Sequence, residues 1–489
     1  MAGGIVAAGH EVTAAAGARV LADGGNAVDA AIAAMLMSWV AEPLLTGPGA
    51  GGYLLVAGPG WEPTLLDFFV AAPGFGAAGE PGALVEVLVD FDGETEQAFH
   101  VGAASCGTYG SPAGVEAAVR RWGSMPLADL AAPAAALART GVEVTPVQGQ
   151  LFRILAGITL TSPEGAATFV PGGRPPQAGE RLALPELGET IARLGSDGAT
   201  PFYTGDIAAA VAAWVGERGG LLTVEDLAAY AAVPRTPARV PYRGDTVLTN
   251  PPPSAGGTLL ALALGLLDRT AGPPRLADIV DAMATAQDAR TDAFVEGLAE
   301  PGFLARFLSS RLGATTHISV LDGEGRAASV TCTNGEGSGL VVPGTGIHVN
   351  NIMGEEDLSP LGFHHAPPGR RMPSMMAPTV VLRDGHVELV VGSAGSNRIR
   401  SALLQTIVGV VDHGLDARAA VEAPRAHFED GVVYAEPGVP VDELSGREIV
   451  AFRSRNLFFG GVQAVVRDGA TGALTAAGDP RRGGAAASA

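Results

Sequence analysis

Apolar positions along this chain recur with two periods, and the change of period marks its elements. Over residues 11–40 they fall at helical spacing, through Thr13, Ala16, Val20, Ala27, Ala31 and Met35, with a break at Gly24-Gly25. Helical spacing returns over 111–140, 185–215, 277–294 and 400–411. Thr223 with Asp226 three positions later has the form of a capping box and predicts a short helix there. Runs rich in β-branched and aromatic residues predict strands at 53–57, 64–69, 242–249, 379–383, 387–392 and 463–467. Helices dominate the first half and strands gather near the centre, which predicts helices layered on sheet.

The centre is the stretch 311–339, RLGATTHISVLDGEGRAASVTCTNGEGSG. Thr316, Ile318 and Val320 alternate with Thr315, His317 and Ser319, the period of a half-buried strand. Asp322-Gly323-Glu324-Gly325 supplies a turn, and residues 328–333 return rich in β-branched side chains. A turn centred on Gly323 and Glu324 sets Thr315 opposite Cys332 or Thr333, to within about one residue. Two hydroxyls then meet at the open end of a hairpin, beside the small Gly313-Ala314 step.

Composition narrows the function. With 47% hydrophobic and 17% charged residues over 489 positions, the chain has ample material for a large core. A formal charge of −20 argues against nucleic acid or an anionic membrane as partner. Two cysteines, Cys106 and Cys332, are too few for a disulfide framework, and Cys332 in a strand is expected to be a small core residue. The first residues lack a basic region followed by a continuous apolar run, so a cytoplasmic protein is expected. The apolar run 30–41 is too short to span a bilayer and stops at Glu42-Pro43.

Chemistry then follows from residue types. A threonine hydroxyl is a poor nucleophile without a base, but an N-terminal threonine carries one in its own α-amine. Attack of the Thr315 hydroxyl on the Ala314 carbonyl, then hydrolysis of the ester, would make such a terminus. The same Thr-Thr pair is also good strand chemistry. Gly392-Ser393-Ala394-Gly395-Ser396-Asn397, between a strand and a helix, offers either a tight turn or a set of N–H groups for an oxyanion. Asn350-Asn351 with Glu355-Glu356 are polar groups suited to an ammonium, or a solvated loop. The Gly-rich run 47–52 precedes a strand, the reverse of the order a phosphate loop needs, and reads better as backbone packed tightly against a buried neighbour. His364-His365 has no third ligand in the sequence, so neither metal nor cofactor is expected.

These blocks together resemble the γ-glutamyltranspeptidase (glutathione hydrolase) family of N-terminal-nucleophile hydrolases. The resemblance runs through GHEVTAAAGARVLADGGNAVDAAIAA, GGLLTVEDLAAY, NPPPSAGGTLL, TTHISV, APTVV, GSAGSNRI, GLDARAAVEAPRAH and GDPRRGGAA. It implies an α+β fold, a four-layer αββα sandwich, and a proenzyme that cuts itself between Ala314 and Thr315. Residues 1–314 would form a large fragment and 315–489 a small one, associated in one intertwined fold after cleavage. It implies Thr315 as nucleophile with Thr333 supporting it, and Gly395 with the Ser396 backbone at the oxyanion. It implies that Asn334, Glu355 and Ser374 would contact a small-molecule amide substrate, which Asn351 of the polar group above is expected to join.

The departures bear on that substrate. The arginine by which the family holds the γ-glutamyl α-carboxylate reads here as Phe69, in Asp67-Phe68-Phe69-Val70, and a phenyl ring cannot replace a bidentate guanidinium. Met375 stands for the second serine of a pair and Ile352 for a polar residue. The expected activity is amide hydrolysis or acyl transfer of the γ-glutamyl type. The alternatives are the same mechanism on a less polar acyl group, or a non-catalytic binding relative.

Overall fold

The computed structural model describes residues 3–77, 79–90, 96–288, 316–359 and 362–489. The helical stretch at the start is two helices, Glu11–Ala22 and Ala27–Ala41, parted at the Gly-Gly step as the sequence predicts. Asn26 restarts the helix: its side chain accepts from the Val28 and Asp29 N–H groups, while Asp29 accepts from the Asn26 N–H. The 111–140 stretch is also two helices, Ser111–Trp122 and Leu127–Thr140, because Gly123 and Pro126 interrupt it. The capping box at Thr223 and Asp226 is present.

Two large antiparallel sheets carry the fold. The first runs, in spatial order, Ala485–Ser488, Ile5–Ala8, Thr316–Leu321, Ala327–Thr333, Gly51–Gly58, Trp61–Phe68 and Val233–Arg235. Strands from before residue 289 and after residue 315 are therefore mixed within one sheet. The second runs Leu474–Gly478, Gly461–Arg467, His386–Ala394, Thr379–Arg383, Asp245–Thr249 and Ala238–Tyr242. The short Ala-rich strands at Ile5 and Ala485 carry little periodicity of their own, and only their pairing makes them strands.

The two faces of the first sheet serve different partners. Val6, Ile318, Val320, Val330 and Cys332 pack with the helix Ala27–Ala41, every residue of which is buried. Ala7, Tyr53, Leu55 and Leu321 share a cluster with Val247, Val380, Val390 and Val465 of the second sheet, and with Leu259, Ile399 and Leu403 of helices beyond it. Polar side chains also cross between the sheets, the Ser319 hydroxyl donating to the Gln463 carbonyl at 3.0 Å. Among the described residues no helix is long and apolar enough to cross a membrane.

Candidate active site

The predicted hairpin forms with the predicted register. Thr316 pairs with Cys332 and Leu321 with Ala327, and the Asp322 side chain closes the turn by accepting from the Glu324 and Arg326 N–H groups. Ala314 and Thr315 lie outside the described residues; Thr316 is the first residue of the strand.

The Gly-rich run packs tightly against the open end of this hairpin. Cys332 pairs with Gly52 and Thr333 with Gly51. A Cβ on Gly52 would lie 2.3 Å from the Thr331 oxygen, and one on Gly51 would lie 2.6 Å from the Val70 nitrogen. The Leu45 carbonyl accepts the Asn334 N–H at 2.9 Å, and the Gly49 carbonyl accepts Asn350 Nδ2 at 2.9 Å. Glycine is required here because neighbouring backbones occupy the space a side chain would need.

Around that end the structure gathers most of the residues singled out above. The Thr333 hydroxyl accepts the Gly335 N–H at 2.7 Å. Asn334 is fully buried; its Nδ2 donates to the His348 carbonyl at 3.3 Å, while its Oδ1 has no hydrogen-bond partner among the described residues. Asn351 Oδ1 accepts the Glu336 and Gly337 N–H groups at 3.0 and 3.1 Å and so holds the loop after Asn334. The carboxyl of Glu355 stands 2.3 Å from where a Gly335 Cβ would sit. Asn350 is tied within the protein, bridging Gly49 and Gly107.

Ser374 accepts the Met376 N–H at 3.0 Å, and its carbonyl receives the Ala255 and Gly256 N–H groups that open the helix Ala255–Leu267. Phe69 points its ring into apolar surroundings, stacked on Tyr53 at 5.5 Å, in the cluster that holds Ile352, Met353, Met372 and Met375. Its carbonyl receives Tyr230 Oη at 2.7 Å and Arg371 Nη1 at 2.9 Å. On the second sheet, Gly395 and Ser396 follow the strand His386–Ala394 with φ of +117° and +57°, a turn that aims the backbone away from the ladder.

Comparison with known proteins bears on this arrangement. The family model described as gamma-glutamyltranspeptidase matches residues 13–312 and 302–489. The chain belongs to the gamma-glutamyltranspeptidase family. Two curated relatives have different names. The chain is 31% identical over 471 residues to the acylase ACY 1 proenzyme of Pseudomonas sp. (strain SE83), covering 89% of this chain and 84% of the relative. It is 31% identical over 536 residues to the glutathione hydrolase proenzyme of Escherichia coli (strain K12), covering 98% and 90%. Among solved structures it is similar to the cephalosporin acylase from Bacillus halodurans, with a TM-score of 0.84, 26% identity and 99% and 96% of the two chains covered.

For this gamma-glutamyltranspeptidase family member, a hydrolase or acyltransferase by kinship, the structure adds two charged groups that sequence reasoning missed. Glu42 is 3% exposed and its Oε1 accepts the Thr316 hydroxyl at 3.2 Å. Burial pushes its carboxyl up to about 7, against the Thr316 hydrogen bond and the field of Arg482, which act to lower it. Arg482 lies beside Gly395: a Cβ there would stand 3.1 Å from its Nη2. Burial lowers this guanidinium to about 10, with Arg398 adding to the fall and Asp479, Glu336 and Glu42 opposing it. The signal for Glu42 was available, as an acid closing the mostly apolar run 30–41; Arg482 had none beyond its motif.

Other titratable groups nearby are spoken for. His317 bonds Thr331 and Ser319 at 2.7 and 2.9 Å, and burial lowers it to about 3, so it is neutral. Cys332 sits 3.0 Å from the Thr46 hydroxyl, and burial pushes its thiol up to about 12. Both cysteines are free and buried, as core residues are.

Proposed function

We propose that this protein is a self-processing amide hydrolase or acyltransferase that works through an acyl-enzyme on Thr315. The observation that carries the reading is the register Thr316↔Cys332, because Thr333 is the next residue along one strand and Thr315 the residue before the other. In this reading the freed α-amine of Thr315 takes the hydroxyl proton, Thr333 supports the oxygen, and the Gly395 and Ser396 N–H groups hold the oxyanion. Water or an amine acceptor then releases the acyl group. The proenzyme names of both relatives support self-cleavage. The mixing of strands from both sides of residue 315 in one sheet supports fragments 1–314 and 315–489 that stay together, in a four-layer αββα arrangement.

For the substrate, Phe69 favours an acyl group read by apolar contact. Its ring stands where the resemblance places the family's arginine, stacked on Tyr53 in a cluster that holds Ile352 and methionines, and the guanidiniums nearby, Arg371 and Arg235, are already paired with Asp67. The acylase relative supports this reading. A γ-glutamyl substrate is the second reading, favoured by Asn334, Asn351 and Glu355 clustering where an α-amino group would be held.

The test has two stages. Intact mass under denaturing conditions should give two fragments split between Ala314 and Thr315, and one chain for Thr315→Ala. Turnover of γ-glutamyl-p-nitroanilide against neutral acyl anilides then separates the substrate readings. A persistent single chain in the parent protein would remove the nucleophile proposal altogether.

A further inference from the structure

Building on that reading, self-cleavage needs order before it needs chemistry. In the uncut chain the nitrogen of Thr315 is an amide and no base, so the first step depends on how the strand that follows is held. That strand begins at Thr316, and what holds Thr316 is a carboxyl. Glu42 closes the helix Ala27–Ala41 as its C-cap, its N–H donating to the Ser38 carbonyl and its own carbonyl receiving the Leu45 and Thr46 N–H groups at 2.9 and 3.2 Å. The side chain is directed over Gly9, where a Cβ would lie only 2.4 Å from Oε1. Oε1 takes the Thr316 hydroxyl and Oε2 has no hydrogen-bond partner among the described residues. A buried carboxyl with one lone oxygen is a costly arrangement for a fold that needs only a hydrogen-bond acceptor.

We infer that Glu42 is a positioning residue for self-cleavage: its carboxyl, through the Thr316 hydroxyl, fixes the entry of the strand that follows Thr315, and does so more firmly when ionised. Strand alternation places Thr316 on the helix-facing side with Ile318 and Val320, so Glu42 steadies the strand from behind and takes no proton from the nucleophile. Among the described residues, these groups face it. Thr316 comes from its own strand, Cys332 from the neighbouring one, Arg482 from the C-terminal segment and Gly9 from the end of the first strand. Burial lowers the imidazole of His10, next along, from its ordinary value, with Glu11 opposing. Of Glu42, Cys332 and Arg482, only Glu42 changes charge in the neutral range, the other two titrating at about 12 and 10.

The experiment follows self-cleavage of freshly translated full-length chain by intact mass, at several pH values, for the parent, Glu42→Gln, Glu42→Asp and Thr316→Val. With a group titrating near neutrality, the parent rate should rise about tenfold from pH 6 to pH 8. Glu42→Gln, which keeps the shape and the acceptor but no charge, should be slow and nearly flat with pH. Glu42→Asp should recover part of the slope. Thr316→Val, which keeps Glu42 and removes its contact, should flatten the profile as Glu42→Gln does. A parental rate and slope in either Glu42→Gln or Thr316→Val would overturn the inference, even if the other variant failed to fold. Thr315→Ala keeps the two proposals apart. If the parent is cut and Thr315→Ala is not, a parental profile in the Glu42 variants removes only the role of Glu42. If the parent is never cut, the nucleophile reading fails first.

Discussion

Gly392 lies directly against the imidazole of His317, so that a Cβ on the glycine would stand 2.2 Å from the ring. The two residues belong to the central strands of different sheets, and their contact sets how closely those sheets approach. His317 cannot turn aside, because Thr331 and Ser319 hold both ring nitrogens. Gly392→Ala should therefore destabilise by about 1–3 kcal/mol through overpacking. The check is the denaturant midpoint, and an unchanged midpoint would mean the sheets separate freely.

Thr333 is asked both to support the proposed nucleophile and to cap a turn. Thr333→Val should leave the Gly335 N–H without its acceptor and cost about 1–3 kcal/mol of stability. It should also slow self-cleavage, while Thr333→Ser should restore both. Self-cleavage by Thr333→Val at the parental rate would leave Thr333 with the turn alone.

Phe69 gives the substrate readings a direct contest. Phe69→Arg places a cation in an apolar cluster near the buried Asp67, whose carboxylate already pairs with Arg235 at 2.7 Å and Arg371 at 3.2 Å. The variant should be less stable, and its ratio of γ-glutamyl to neutral anilide turnover should rise by tenfold or more, a change of about 1.4 kcal/mol. An unchanged ratio would show that position 69 does not read the acyl group.

Glu42 should also leave a mark on stability. Its carboxyl lies at about 7 in the fold against 4.5 for an ordinary glutamate, because burial disfavours the charge. A raised folded-state value favours the protonated form, so the contribution is complete below about pH 4.5 and is lost as pH rises through about 7. The full loss is at most ~3 kcal/mol. Glu42→Gln, having no proton to lose, should gain on the parent between pH 5 and pH 8 in denaturant midpoint. A gap between the two that stays constant with pH would place the carboxyl elsewhere on the scale.

Much of this molecule was legible in its sequence because the causes are local. The hairpin at Thr316 follows from alternation on either side of an Asp-Gly turn, and its register from the length of that turn. The helix break at Gly24-Gly25 and the capping box at Thr223 depend on residues within four positions of each other. The tight packing of the Gly-rich run was legible too, since only backbone contact explains so many glycines before a strand. What tertiary structure alone decided lies between residues far apart in the chain. The strand at Ala485 exists because it pairs with the one at Ile5, across nearly the whole sequence, and that one lies in turn against the strand at Thr316. Glu42 meets Thr316 across 274 positions, and Arg482 reaches Gly395 from a turn near the end of the chain. Periodicity records which face of an element is buried; it carries no information about which distant side chain will share that face, and the charge state of a buried carboxyl depends on that neighbour.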